Sequence, residues 1–316
     1  MDLSFTPDQD ALREATTRLY AKESHGERVR EAEAAGIDPA LWHGVVQMGL
    51  PTMAVPEPLG GAGASLTDLA VAVEVHGAHV GTVPLVETAV AARLLATLAD
   101  DEVAAGWLAR LVDGASAAVC LQPLTQPAAR ALVAYAAVAD LVLVLGPDGL
   151  EAIEGPVAPS RSALSGLAIA EVGAGHGRPL GGQAGPLAYD RALDEWRALT
   201  AVAQAGLARA SLDVGLQYAK DRHQFGVPIG SFQVLQHRFA DLHTRVDGSR
   251  LLAYQAVWAH DEGDPTGPGR AAQASWYCGA VAEESAEFSL HVHGGYGFML
   301  EYDVQLHLRR AKATRL

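Results

Sequence analysis

The chain has 316 residues, 49% of them hydrophobic, which is enough to bury a large core and long enough for about two or three domains. Its formal net charge of −14 and pI near 5.2 argue against wrapping nucleic acid or lying on an anionic membrane, because both need clustered Lys and Arg. Lysine occurs only at Lys22, Lys220 and Lys312, so the positive charge is almost all arginine, whose planar fork suits phosphate and carboxylate groups.

Cys120 and Cys278 stand far apart, without a CxxC or His-rich setting. Neither a disulfide framework nor a zinc knuckle is indicated, and a reducing cytoplasm fits best. The first residues, Met1-Asp2-Leu3-Ser4-Phe5, lack the basic region and apolar run of a signal peptide, and no window is apolar enough for a membrane span, so a soluble protein is expected.

In chain order, Thr6-Pro7-Asp8-Gln9 reads as a helix start, with Thr6 as N-cap, Pro7 at the first position and Gln9 closing a capping box. A second helix is expected from Pro39 to Met48, stopped by Gly49. The prolines and glycines of Val55 to Gly63 make a loop, after which Thr67 to His76 and Leu85 to Leu98 read as helices separated by breakers. From about residue 113 the character changes. Ser116 to Leu121 and Leu141 to Leu145 are strand-like, and Gly146-Pro147-Asp148-Gly149 links the latter to Leu150-Glu151-Ala152-Ile153 as a hairpin.

Helical pattern returns from Asp190. After a break at Gly226-Val227-Pro228, the residues Phe232, Leu235, Phe239, Leu242 and Val246 step by three and four and predict the core-facing stripe of a long helix. Two further helices are expected, from Gly269 to His291 and from Glu301 onward. The whole reads as a mainly α chain: an N-terminal helical domain over 1–112, a small β domain over 113–187 and a C-terminal four-helix bundle over 188–316.

Short motifs along this order are similar to those of the acyl-CoA dehydrogenase flavoproteins. Trp42, Gly49-Leu50, Val55-Pro56-Glu57, Gly60-Gly61-Ala62-Gly63, Glu74 and Pro84 match N-terminal elements of that family. In the C-terminal part, Arg222-His223-Gln224-Phe225-Gly226-Val227-Pro228-Ile229, continued by Phe232-Gln233 and Gln236, resembles its Arg-x-Gln-Phe-Gly-x-Pro-Ile element. His291-Val292-His293-Gly294-Gly295 stands at its Gln-x-x-Gly-Gly element, with His291 replacing the usual Gln.

The resemblance implies that Arg222, Gln224, Phe225, Gln233, His291, Gly294 and Gly295 contact FAD held mainly by a neighbouring chain. An arginine beside a helix-breaking loop can aim its fork at a pyrophosphate, the next helix start adds backbone donors, and glycines admit close backbone approach. Plainer readings exist for the same residues: a charged helix end at Lys220-Asp221-Arg222, a tight interhelical turn at Gly294, Gly295 and Gly297, and a structural rather than metal-binding pair at His291 and His293.

Chemistry of this family removes the α-proton of an acyl-CoA thioester with a carboxylate base while the β-hydrogen leaves as hydride to the flavin. One family position for the base falls on Trp196, leaving Glu195 one residue away as the candidate; the other falls about two residues past Leu316, and the finish in mid-helix suggests a missing tail. The β-domain segment that holds the flavin ring in the family has only Leu121-Gln122-Pro123-Leu124-Thr125-Gln126-Pro127 as counterpart, without Gly-Ser or an acidic residue.

Together these departures imply a short, non-catalytic subunit that completes the FAD site of a catalytic acyl-CoA dehydrogenase subunit in a heterotetramer, as in actinobacterial breakdown of steroid side chains. Two other readings stay open: a self-sufficient homo-oligomeric acyl-CoA dehydrogenase, and a structural partner on the same scaffold that binds no flavin.

Overall fold

A computed structural model of the chain describes residues 4–126, 128–158, 163 and 165–315. Its N-terminal part holds α1 (Pro7–Glu23), α2 (Gly26–Ala35), α3 (Pro39–Gln47), α4 (Leu66–Ala78), α5 (Leu85–Thr97) and α6 (Glu102–Val112). A small β region follows, with β1 (Ala117–Val119), β2 (Arg130–Ala134), β3 (Leu141–Gly146), β4 (Gly149–Glu154), β5 (Ile169–Gly173) and β6 (Arg178–Leu180). The C-terminal part is α7 (Gly185–Asp221), the two-residue strands β7 (His223–Gln224) and β8 (Val227–Pro228), α8 (Gln233–Asp261), α9 (Gly267–His293) and α10 (Val304–Thr314). No helix among the described residues is long and apolar enough to cross a membrane.

By contacts the chain forms two compact units, each assembled from separate stretches. One comprises Met1–Gly26, Ala70–Gly81 and Arg197–Leu316; the other comprises Glu27–Leu69 and Thr82–Trp196, so the division falls inside α7.

The second of these units is organised around α5, whose Leu85, Val86, Ala89, Val90, Ala91, Ala92, Leu94 and Leu95 are all buried. A helix apolar on every side must be covered on every side. Thr88 fixes it to the first strand: its hydroxyl accepts from the Ala117 amide at 3.0 Å and donates to the Ala117 carbonyl at 3.3 Å. Trp42 donates its indole N–H to the Gly114 carbonyl at 3.1 Å, tying α3 to the end of α6.

Strand order in the main sheet is β1-β3-β4-β6, with β1 parallel to β3 and the rest antiparallel, while β2 and β5 form a separate antiparallel pair. The hairpin expected around Pro147-Asp148 is present, Gly146 pairing with Gly149. The sequence reading missed β2, β5 and β6. In β2 the residues Arg130 to Ala134 do alternate exposed and buried, but an Ala-rich strand carries too little of the branched and aromatic character that marks one.

In the other unit, α1 begins with the capping box read from the sequence: the Gln9 amide donates to Thr6 Oγ1 at 3.2 Å and the Thr6 amide to Gln9 Oε1 at 3.0 Å. Helices α4 and α7 touch backbone to backbone through glycines. A Cβ on Gly77 would lie 1.9 Å from the Ala203 carbonyl oxygen, and one on Gly206 would lie 2.1 Å from that of Glu74. Glu74 takes a two-point pair from Arg250, at 2.6 and 3.2 Å, and a bond from the Tyr254 hydroxyl at 2.8 Å, joining α4 to α8.

Helix α8 packs along α9 and α10 packs on α9, while Ser289 of α9 presses on Gly215 of α7. Buried polar side chains also knit the unit. The Tyr20 hydroxyl lies 2.9 Å from His76 Nδ1, and Ser211 Oγ lies 3.1 Å from His307 Nδ1. Burial, reinforced by Arg310, pushes His76 down to about 3, and burial pushes His307 down to about 4, so both rings are neutral.

The stripe expected on α8 is core only in part. Phe239, Leu242 and Val246 are buried, but Phe232 is exposed and Leu235 half-buried. Periodicity identifies the apolar side of a helix and not how far its neighbours extend, and here the first turn of α8 is left uncovered. Helix boundaries shift modestly as well: α7 begins at Gly185 instead of Asp190, and α10 at Val304 instead of Glu301.

Candidate functional site

Helix α7 ends where the Arg222 amide donates to the Tyr218 carbonyl at 2.9 Å. The chain then folds into the β7–β8 hairpin, with His223 opposite Pro228 and Gln224 opposite Val227. Phe225 and Gly226 form its two-residue loop at φ 55° and 82°. Two successive positive φ values make the turn that matches the twist of paired strands, and glycine adopts such a value freely whereas phenylalanine does not.

The Ile229 amide closes the base of the hairpin on the Arg222 carbonyl at 2.8 Å. The chain enters α8 through a short turn in which Gln236 Nε2 donates to the Gly230 carbonyl at 3.1 Å, and α8 starts at Gln233 without a side-chain cap. An uncapped first turn presents amide donors and the positive end of the helix.

The second segment is the end of α9. Gly294 takes φ 60° and ψ −137°, a region open essentially to glycine alone, and a Cβ at Gly294 or Gly295 would meet nothing within 4 Å. At Gly297 the reverse holds, since a Cβ there would lie 2.6 Å from the Leu290 carbonyl oxygen. The glycine pair therefore shapes an open edge, and the third glycine allows the following turn to pack.

The fold brings the two segments together. The Tyr218 ring stacks on the His293 ring with centroids 4.0 Å apart, and the Arg222 guanidinium lies 5.8 Å from the centre of the Tyr296 ring. All seven residues singled out from the sequence, Arg222, Gln224, Phe225, Gln233, His291, Gly294 and Gly295, are exposed on this surface. Arg222 has no carboxylate partner among the described residues, whereas Arg238, Arg245 and Arg250 of the same unit are held by Glu284 or Glu74.

Large apolar side chains surround these polar groups. Phe225 is 93% exposed, Val234 76%, Phe298 75% and Leu300 70%, with Val227, Phe232, Tyr296 and Met299 also exposed. Exposed apolar side chains in such concentration are characteristic of interaction surfaces. Sequence reasoning overlooked Tyr218 and gave His293 only a structural part. Tyr218 lies one helical turn before Arg222, and that spacing is the signal that could have found it.

Glu195 lies in the other compact unit. Arg93 donates to both its oxygens, Nε to Oε2 at 2.7 Å and Nη2 to Oε1 at 2.8 Å, and also from Nη1 to the Ala54 carbonyl at 2.7 Å. The pair lies in the wall of a cleft of about 310 Å³ formed by α5, the start of α7 and the Ala54–Pro56 loop. Two parallel charge-assisted bonds fix the orientation of the Glu195 carboxylate. Of the β-domain segment compared with the family's flavin-ring segment, Leu121 to Gln126 are described and Pro127 lies outside the described residues.

Comparison with known proteins agrees with this architecture. Residues 6–115 match the Acyl-CoA dehydrogenase, N-terminal domain, and residues 184–316 match the Acyl-CoA dehydrogenase, C-terminal domain. Acyl-CoA dehydrogenase IpdE2 of Mycolicibacterium smegmatis is 31% identical over 97% of this chain and 93% of its own length. IpdE2 of Mycobacterium tuberculosis is 32% identical over 97% and 92%. Among solved structures, a variant of the Tcur3481-Tcur3483 steroid ACAD superposes with a TM-score of 0.86 at 28% identity, covering 97% of this chain and 92% of that one.

The chain belongs to the acyl-CoA dehydrogenase family. That family is one of oxidoreductases whose members generally bind FAD.

Proposed function

We propose that this chain is a subunit of a heteromeric, FAD-dependent acyl-CoA dehydrogenase, in which its exposed C-terminal surface completes the FAD site of a catalytic partner chain. The observation that carries this reading is the surface itself. Arg222, without a carboxylate partner among the described residues, and a glycine edge at Gly294-Gly295 lie on the two segments that the Tyr218–His293 stack joins, and both segments carry bare aromatic and aliphatic side chains.

The residues fit the dinucleotide end of the cofactor. Arg222 would take the pyrophosphate, the open first turn of α8 at Gln233 would add amide donors, and Gly294 and Gly295 would let the backbone approach without a Cβ in the way. Gln224 and His291 would supply hydrogen bonds at the edge, and Phe225 an apolar contact. When bound, FAD supplies the acceptor for the hydride that leaves the substrate's β-carbon. The base that removes the α-proton belongs, in this reading, to the partner, because Glu195 is committed to Arg93.

The similarity to the Tcur3481-Tcur3483 steroid ACAD, whose name joins two components, supports a two-component assembly and a steroid substrate class; within that, the reading takes a heterotetramer with a catalytic subunit and a steroid side-chain CoA. A cytoplasmic location is part of the same reading. The test is to co-express the chain with its partner, replace Arg222 by Ala and measure flavin per complex by visible absorption. The ratio should fall sharply; an unchanged ratio in an intact complex removes the proposed role.

A further inference from the structure

Two segments far apart in sequence must be held in fixed relation if they are to grip one ligand, and the contacts behind the surface show how. Tyr218 stacks on His293 at 4.0 Å with an interplanar angle of 27°. Tyr302 stands nearly perpendicular to His293 with ring centroids 6.2 Å apart, Tyr296 lies 5.5 Å from Tyr302, and Arg222 lies 5.8 Å from Tyr296. The circuit closes where the Arg222 amide bonds to the Tyr218 carbonyl.

His293 is the hub. It is 6% exposed, and its Nδ1–H donates to the Ser289 carbonyl at 2.7 Å, which fixes the ring plane one residue before Gly294. Packing alone does not need an imidazole with a defined ring plane at the point where the backbone switches to a glycine-only conformation.

We propose that Tyr218 and His293 are positioning residues that lock the Arg222 hairpin and the Gly294-Gly295 turn into a single cofactor-facing unit. Tyr218 sets where α7 releases Arg222, His293 sets where α9 releases the glycines, and their stacked rings register one against the other. Neither side chain touches the cofactor in this scheme; they act through the groups they hold. The inference rests on the FAD-completing function proposed above and adds to it the residues that preorganise the site.

The experiment uses the co-purified complex stripped of flavin and titrated with FAD by fluorescence quenching, with the thermal midpoint of the flavin-free complex recorded alongside. His293→Ala and Tyr218→Ala should each weaken FAD binding about tenfold or more, since displacing a positioned group by an ångström is enough for such losses. His293→Phe, which keeps a stacked ring but loses the bond to the Ser289 carbonyl, should recover only part of the affinity, and Tyr218→Phe should bind as the unaltered complex does.

Lowered thermal midpoints with unchanged FAD affinity in the alanine variants would reduce the pair to ordinary packing and overturn the proposal. Should His293→Ala fail to assemble, Tyr302→Ala interrupts the same circuit between His293 and Tyr296 and carries the same expectation. Arg222→Ala run in parallel separates the two levels. If it weakens FAD binding while the Tyr218 and His293 variants do not, only the positioning role falls. If it too leaves FAD binding intact, the FAD-completing function itself fails.

Discussion

Replacing Phe225 by Gly should push two measurements in opposite directions. Phe225 sits at φ 55° with 93% of its surface exposed, so the chain holds a bulky side chain in a left-handed conformation without burying it. That backbone costs a non-glycine residue about 1–2 kcal/mol. Glycine removes the strain but gives back roughly 0.5–1 kcal/mol through its greater freedom when unfolded, leaving a net gain of up to about 1.5 kcal/mol in the unit that carries the hairpin.

Association should change the other way. Burying a phenylalanine side chain contributes about 1.5–3 kcal/mol, so losing it from a partner interface should weaken assembly roughly ten- to hundredfold. Denaturant unfolding of the chain alone and titration against the partner chain read the two effects separately. Phe225→Ala is the control, since it loses the contact but keeps the strain, and it should weaken assembly without the gain in stability. Unaltered assembly in both variants would refute the argument that this strain is retained for a contact.

Glu195→Gln should leave turnover of the complex unchanged while lowering the stability of its unit by about 1.5–3 kcal/mol, the range for losing hydrogen bonds to a charged group; a large fall in kcat would instead make Glu195 the base. Gly294→Ala should reduce FAD retention and cost about 1–3 kcal/mol, because its φ and ψ lie where an L side chain is strained; tolerance of alanine there, judged by flavin content and melting, would contradict the described turn. Acid should destabilise the unit containing the buried histidines. Their folded pKa values of about 3 and about 4 lie below the ordinary 6.5, so the unfolded chain binds protons first, and the stability present above 6.5 is lost as pH falls toward those values. The slope is about 1.4 kcal/mol per pH unit for each histidine, and His307→Asn should flatten it; a melting temperature flat between neutral pH and the onset of carboxylate protonation would count against neutral burial.

How far the sequence reaches can be judged residue by residue. The capping box at Thr6 and Gln9, the hairpin around Pro147-Asp148 and the break at Gly226 are local, each decided by neighbours within a few positions, and each stands as read. The motif residues were legible too, because Arg222 and the Gly294-Gly295 pair have chemistry that the sequence states outright. Their exposure and adjacency were not.

What only tertiary structure decided is every relation between distant positions. It bared Phe232 while burying Phe239 on the same stripe, engaged both oxygens of Glu195 through Arg93, and stacked Tyr218 on His293. It also interleaved separate stretches of chain into each compact unit. Periodicity and capping are set by torsions and side-chain spacing along one strand of covalent bonds, so they can be read in order. Which side chain ends up beside which depends on how far each neighbouring element extends and where backbones touch, as at Gly77 and Gly206, and that is fixed only when the elements pack.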